Sequence, residues 1–168
     1  FTSNHQPGAT FPVGETTVTY TATDIHGNEE TASFTVTVND TELPSITNVP
    51  TDIVVNSDAG VCEAVVTWTA PDAADNCEID TFTSNHQAGA TFPVGETTVT
   101  YTATDIHGNE ETASFTVTVN DTELPTITNV PASIIVNNDP NTCGAVVTWT
   151  VPDSVDNCGI DTFTSNHQ

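Results

Sequence analysis

Thr97-Thr98-Val99-Thr100-Tyr101-Thr102-Ala103-Thr104 is followed, one short loop later, by Ser114-Phe115-Thr116-Val117-Thr118-Val119. Both stretches alternate apolar and polar residues with period two, which puts Val99, Tyr101, Ala103, Phe115, Val117 and Val119 on one face of each strand. The threonines between them are β-branched and suit a solvated sheet surface. The intervening Asp105-Ile106-His107-Gly108-Asn109-Glu110 has turn chemistry, so the two stretches read as a hairpin. Working outward, Ile46 to Asn56 reads as an opening strand interrupted at Pro50, and Cys62 to Thr69 as the next. Ala70 to Cys77 reads as a loop, Ile79 to Ser84 as a strand, and Phe92-Pro93-Val94-Gly95 as a turn. No segment carries a helical period. Six or seven short strands in ~80 residues predict an all-β antiparallel sandwich. Its aromatic core is expected at Trp68, Phe82, Phe92, Tyr101 and Phe115, with Trp149 as the counterpart of Trp68.

The pattern repeats. Phe-Thr-Ser-Asn-His-Gln occurs at Phe1, Phe82 and Phe163, 81 residues apart each time. Cys62, Trp68 and Asp75 recur as Cys143, Trp149 and Asp156 at the same interval. Residues 1–40 and 82–121 differ only at Pro7 against Ala88, while the later parts diverge around Ser57–Glu63 and Ala73–Glu78. A period of this size is one small domain and exceeds a solenoid coil of ~20–45 residues. The expected division is 1–40, the C-terminal part of one repeat; 41–121, a complete repeat; and 122–168, the N-terminal part of the next. The chain then reads as a window on a longer array. A rival reading has residues 1–40 of one subunit complete residues 122–168 of another, as in strand donation. The duplicated hexapeptide argues against it, because a clean split would not repeat it.

Composition removes several function classes. The chain has no Lys or Arg and 23 Asp plus Glu, for a formal charge of −23. Nucleic-acid binding through a basic footprint is excluded, as is a basic stripe for anionic membranes. Lysine-dependent isopeptide cross-links are excluded too. The carboxylates must be solvated, screened or metal-bound. No stretch approaches the ~20 apolar residues of a membrane span. The four cysteines fall as one pair per repeat, without metal-type Cys-x-x-Cys spacing, and imply disulfides and an oxidising, extracellular setting. The inventory offers no Gly-rich phosphate loop and no lysine, and it gives no nucleophile a base, so no enzyme is expected.

Asn39-Asp40-Thr41-Glu42-Leu43-Pro44, Ala64-Val65-Val66-Thr67-Trp68, Asp75-Asn76, Phe92-Pro93-Val94-Gly95 and Tyr101-Thr102-Ala103-Thr104-Asp105 with Gly108-Asn109 resemble the signature of the hyalin repeat, or HYR domain. The resemblance covers the whole chain and recurs in each period. It implies an immunoglobulin-like, fibronectin III-like sandwich and a part in extracellular adhesion, in bacteria within long surface proteins. Many members carry a Cys near the positions of Val49 and Ala113. This sequence has neither, which leaves Cys62–Cys77 as the remaining candidate bridge, with Cys143–Cys158 as its copy. The closed loop of ~15 residues would contribute about 3 kcal/mol. Should Cys77 not fold back along the strand that Cys62 opens, Cys62 could pair with Cys158 of the next repeat instead.

The linker Val-Asn-Asp-Thr-Glu-Leu-Pro carries the sharpest functional expectation. It holds Asp40 and Glu42, and again Asp121 and Glu123. In such a sandwich it meets the end bearing Asp72, Asp75, Asn76, Asp105 and Asn109, with Asp153 and Asp156 as copies. Hard oxygen ligands in that number suit Ca²⁺, and the linker loosely resembles that of cadherins. The bland alternative is turn chemistry alone. His86 and His107 read as loop or surface residues, and Asn39-Asp40-Thr41 is a formal N-glycosylation sequon. The chain thus reads as a non-catalytic structural or adhesive segment of an extracellular or cell-surface fibre. Its expected partners are neighbouring repeats, in self-assembly into a fibre, and a surface glycan or protein ligand. The alternative is a ligand- or glycan-binding module with specificity in loops 57–63 and 73–78.

Overall fold

A computed structural model describes residues 1–166; His167 and Gln168, which end the third hexapeptide copy, lie outside the described residues. The structure is all-β. Its strands are β1 (Thr2–Ser3), β2 (Gly14–Thr23), β3 (Glu29–Val38), β4 (Ser45–Thr47), β5 (Ile53–Asn56), β6 (Glu63–Val65), β7 (Asp72–Ala74), β8 (Ile79–Ser84), β9 (Thr91–Pro93), β10 (Gly95–Asp105), β11 (Glu110–Asn120), β12 (Thr126–Thr128) and β13 (Asp153–Val155). The sheets are β1-β2-β3, β5-β11-β10-β8, β6-β9, β4-β7 and β12-β13. This is the immunoglobulin-like sandwich arrangement: small sheets built largely from antiparallel pairs, with one parallel pairing of β5 on β11.

The chain divides into two compact units. The first is Phe1–Ile46 with Ala73–Phe82 and Thr102–Glu111. Its sheet is dominated by the β2-β3 hairpin, in which Val18 faces Phe34 and Tyr20 faces Ala32. Thr2 of β1 pairs with Thr21 on the hairpin's other edge.

The second unit is Thr47–Asp72 with Thr83–Tyr101 and Thr112–Gln168. The alternation read from the sequence holds here, with Val99, Tyr101, Phe115, Val117 and Val119 buried. Against them lie Ala64, Val66 and Phe92, also buried; Ala64 of β6 pairs with Phe92 of β9. Trp68 joins the two sets. Its ring meets Phe92 edge-on at 5.9 Å and Phe115 at 5.3 Å. Its Nε1 donates to the Tyr101 hydroxyl at 2.8 Å, so its one polar atom is satisfied.

Several expectations need correction. The opening strand changes sheet: β4 and β5 are separated at Asn48, whose φ of 59° no strand accepts, and at Pro50. The strand from Cys62 is regular only over β6, and the expected loop after Ala70 contains β7. The expected turn at Phe92 contains β9. These three-residue strands are fixed by long-range pairing and are too short to show a period. Phe82 is half-buried, at the margin of the core. Trp149 is 50% exposed although Trp68, its copy, is packed, because residues 122–166 hold no copy of the β10-β11 hairpin.

The cysteine pairing is also corrected. Cys62 bonds Cys158, with Cα atoms 4.8 Å apart, inside the normal disulfide range. Cys77 and Cys143 are free thiols, so neither Cys62–Cys77 nor Cys143–Cys158 forms. The physical reason is direction: β6 carries the chain away from Cys62, and β7 intervenes before Cys77. The bridge joins residues 96 apart, more than one 81-residue period, and so ties one repeat to the next.

Candidate functional site

The hairpin loop after β10 is organised by one carboxylate. Asp105 continues the inward-facing series of its strand and is 2% exposed. Its Oδ1 accepts from the backbone N–H of His107 at 2.8 Å and of Asn109 at 2.9 Å. Its Oδ2 accepts from Asn109 Nδ2 at 2.7 Å. Gly108, at φ +90°, makes the reversal that lets both N–H groups point back. Burial pushes the Asp105 carboxyl up, but the hydrogen bonds from Asn109, then His107 and Gly108, outweigh it and hold the group below its usual 3.8. The same loop at Asp24 makes the same bonds to His26 and Asn28.

Asp40, in the linker after β3, sits against this loop. Its side chain is 3% exposed, and Oδ2 lies 3.1 Å from His107 Nδ1. Oδ1 accepts from the N–H of Glu42 at 3.2 Å, and Asn109 Nδ2 reaches the Asp40 carbonyl at 3.5 Å. Asp75, just after β7, completes the group. Its Oδ1 accepts from the Cys77 N–H at 2.8 Å. Its Oδ2 is buried and has no hydrogen-bond partner among the described residues. One carboxylate oxygen from each of Asp40, Asp75 and Asp105 lies within 4.8 Å of the others. Cys77 Sγ and His107 form an overlapping trio with Asp40 at the same spacing. Burial raises the Cys77 thiol above its ordinary 9.0, helped by the hydrogen bond to Asp40 and by the charges of Asp40, Asp75 and Asp105.

Three carboxylates so close repel unless protons or a cation intervene. No lysine or arginine exists to neutralise them. Hard oxygens with one lone acceptor left unsatisfied fit a divalent cation, and bidentate contacts plus water would complete six to eight ligands.

The copy at the next linker shows the same turn. Asp156 Oδ1 accepts from the Cys158 N–H at 2.9 Å, and Asp156 Oδ2 and Asn157 Oδ1 are buried without partners among the described residues. Here Asp121 accepts from Asn157 Nδ2 at 3.3 Å and from the Ser57 hydroxyl at 3.5 Å. Glu123 Oε2 accepts from the Gly60 N–H at 2.9 Å, and Asn157 Nδ2 donates to the Val61 carbonyl at 2.9 Å.

Of the expected oxygen ligands, Asp40, Asp75 and Asp105 come together, while Asn109 meets Asp105 and Asp40 through its amide nitrogen, as a donor. Glu42 stays exposed at the linker, and Asn76 is exposed. Asp72 accepts from Asn48 and Asp153 from Asn129, each at 2.8 Å, as ties across β4-β7 and β12-β13. Asp121, Glu123 and Asp156 meet the neighbouring backbone and amide groups. Sequence reasoning missed Cys77 and His107 beside Asp40; the position of Cys77 two residues after Asp75 was the available signal. The variable loop 57–63 meets Glu123 through Gly60, Asn157 through Val61 and Cys158 through Cys62.

The model of the HYR domain family matches residues 1–38 and 39–119. Hyalin of Strongylocentrotus purpuratus is 37% identical over 99% of this chain, and hyalin of Lytechinus variegatus 39% over 95%. The chain spans 14% and 31% of those two proteins. The sushi, von Willebrand factor type A, EGF and pentraxin domain-containing protein 1 of Rattus norvegicus is 39% identical over 67% of this chain, which is 3% of that protein.

Proposed function

The chain belongs to the HYR domain family, and on that premise we propose that it is a non-catalytic spacer in an adhesive extracellular fibre, its linkers stiffened by calcium. Family membership places it outside the cell or on its surface, a setting in which the Cys62–Cys158 bridge is stable. The proposed division is 1–40, 41–121 and 122–168, with the acidic linkers at Asp40 and Asp121. Near-identity of residues 1–40 and 82–121 favours a spacer, which needs repetition, over a recognition module, which needs a distinct site.

The observation that carries the calcium reading is the Asp40–Asp75–Asp105 trio with its unsatisfied Asp75 oxygen. Without a cation the charges push linker and hairpin loop apart. A divalent cation reverses the sign of that interaction and fixes the linker to the loop. Its neighbours would be further repeats, and the fibre's adhesive contacts would lie on exposed threonine-rich sheet faces. Small-angle scattering of the chain, in calcium and then in chelator, tests this reading. A narrower distance distribution in calcium is expected. An identical distribution in both buffers would reduce the acidic linkers to solvated turns.

A further inference from the structure

Residues 138–143, Asn-Asp-Pro-Asn-Thr-Cys, are the counterpart of residues 57–62, Ser-Asp-Ala-Gly-Val-Cys. The two loops share a backbone. The N–H of Val61 donates to the Asp58 carbonyl at 3.2 Å, and that of Thr142 to the Asp139 carbonyl at 3.1 Å. Gly60 stands at φ 75° and Asn141 at φ 63°, as the third residue of a type II turn requires. Asp58 N–H donates to the Glu63 carbonyl and Asp139 N–H to the Gly144 carbonyl, each at 2.8 Å. Oδ2 of Asp58 accepts from Val65 N–H and Oδ2 of Asp139 from Val146 N–H, each at 3.1 Å. Both aspartates are exposed. Asp58 is so within the complete repeat, so the exposure belongs to the turn itself.

Three substitutions distinguish the second turn, and all three bear on one peptide bond. Pro140 in place of Ala59 makes Asp139–Pro140 the one Asp–Pro bond in the chain. The proline nitrogen carries no hydrogen in the peptide and leaves as a secondary amine. Asn138 in place of Ser57 brings its Nδ2 to the Asp139 carbonyl oxygen at 3.3 Å, and the same amide donates to the Thr142 carbonyl at 2.9 Å. Thr142 in place of Val61 adds a hydroxyl 3.1 Å from the Asp139 carbonyl oxygen and 2.9 Å from that of Gly144, which share its one proton. The Asp139 carbonyl thus faces two N–H donors and a hydroxyl. The Asp58 carbonyl meets the Val61 N–H alone among the described residues. Donors gathered on a carbonyl oxygen stabilise it as it takes up negative charge in acyl transfer.

We propose that Asp139–Pro140 is a self-cleavage site, at which the Asp139 carboxylate cuts the chain at its own carbonyl. Oδ2 is held by Val146, while Oδ1 has no hydrogen-bond partner among the described residues. Oδ1 attacks the Asp139 carbonyl carbon and closes a five-membered anhydride. The bond to the Pro140 nitrogen breaks, the electron pair stays on nitrogen, and a solvent proton completes the amine. Water then opens the anhydride to two carboxylates, one on the side chain and one at the new C-terminus, and returns two protons, one of which charges the amine. The net reaction consumes one water. The residues bonded to Asp139 are Asn138, Thr142, Gly144 and Val146, all uncharged, so no ion pair restrains the carboxylate. The cut falls between Cys62 and Cys158, so the two fragments stay joined by the bridge. Cleavage opens the covalent ring across the repeat boundary without separating the pieces.

The test is incubation of the chain with chelator at about pH 5, where an ordinary aspartate is ionised, followed by mass spectrometry before and after reduction. The linker carboxylates take no part in this readout, so its failure is distinct from failure of the calcium reading. The unreduced product should be one water heavier than the parent, and reduction should release fragments 1–139 and 140–168. Pro140→Ala restores the Asp–Ala pair of the Asp58 turn and should slow cleavage at least tenfold. Asn138→Ser with Thr142→Val, each the residue of the Asp58 turn, keeps the Asp–Pro bond and should also slow it about tenfold. The parent unfolded in urea should cleave at least tenfold more slowly than the folded parent. No cleavage of the folded parent, cleavage at another bond, or equal rates in the folded parent, the double variant and urea would each overturn the proposal, the last by leaving only the general lability of an Asp–Pro bond.

Discussion

Cys62 and Cys158 stand 96 residues apart in sequence and 4.8 Å apart between Cα atoms, bonded through sulfur. The bond crosses a repeat boundary, so it constrains how one repeat follows the next and does not merely close a loop within one. Around it, Asn157 Nδ2 donates to the Val61 carbonyl and Glu123 accepts from Gly60 N–H. The covalent link is thus embedded in a set of polar contacts of the same register.

Removing that link should show its size. A loop of about 100 residues is worth about 4.7 kcal/mol in the chain-entropy model, with typical measured values of about 2–4 kcal/mol. A Cys62→Ser, Cys158→Ser double variant is expected to lose stability in that measured range by urea denaturation. Reductant should then have no further effect on the variant's midpoint while lowering that of the parent.

The two tryptophans should behave differently despite similar surroundings in sequence. Trp68→Ala removes contacts with Phe92 and Phe115 and the bond to Tyr101, at a cost of about 3–5 kcal/mol. Trp149→Ala, at a half-exposed position, is expected to cost less than about 1 kcal/mol in the monomeric chain. Chemical denaturation of both variants decides, and equal losses would show that the two faces are equally covered.

Much of this was legible from the residues, and the exceptions share a cause. The β10-β11 hairpin and β8 follow from alternation and turn chemistry, which are local. β7 and β9 are three residues each and exist because Ala64 finds Phe92 and β4 finds β7, which no short window contains. The cysteine spacing allowed two pairings differing by one repeat, and only the direction of β6 chooses between them. The acidic residue types at the linkers were visible. That Asp40, Asp75 and Asp105 meet while Asp72 and Asp153 instead tie down Asn48 and Asn129 depends on where the hairpin loop lands.

The first hairpin loop gives a pH prediction. The Asn28 side chain, then its backbone N–H and that of His26, hold the Asp24 carboxyl below its ordinary 3.8. The folded value is lower than the unfolded one, so these bonds stabilise the loop fully above the unfolded pKa. Their contribution is lost as pH falls through the depressed folded value. Asn28→Ala should move the Asp24 titration upward, toward the unperturbed range, in carboxyl NMR. An unmoved midpoint would assign the depression to other groups.

Two glycines separate backbone need from available space. Gly108 sits at φ +90° with open space where a Cβ would stand, so any cost of Gly108→Ala is conformational, about 1–2 kcal/mol. Gly144 also has open space and no positive φ, and its copy is Glu63. Gly144→Ala should be neutral or stabilising by about 0.4–1 kcal/mol. Thermal melts of the two variants should therefore move in opposite directions or differ clearly in size.

Calorimetric titration of calcium into the chain, read beside thermal melts, tests most directly whether the acidic trio of Asp40, Asp75 and Asp105 holds a divalent cation. The parent should bind, and at a hundredfold excess over its dissociation constant gain about 2.7 kcal/mol of stability. Asp75→Asn, which keeps the shape and removes one charge, should lose most of that heat and that gain. Calcium heats and melting temperatures that are the same for parent and Asp75→Asn, or absent from both, would contradict the assignment.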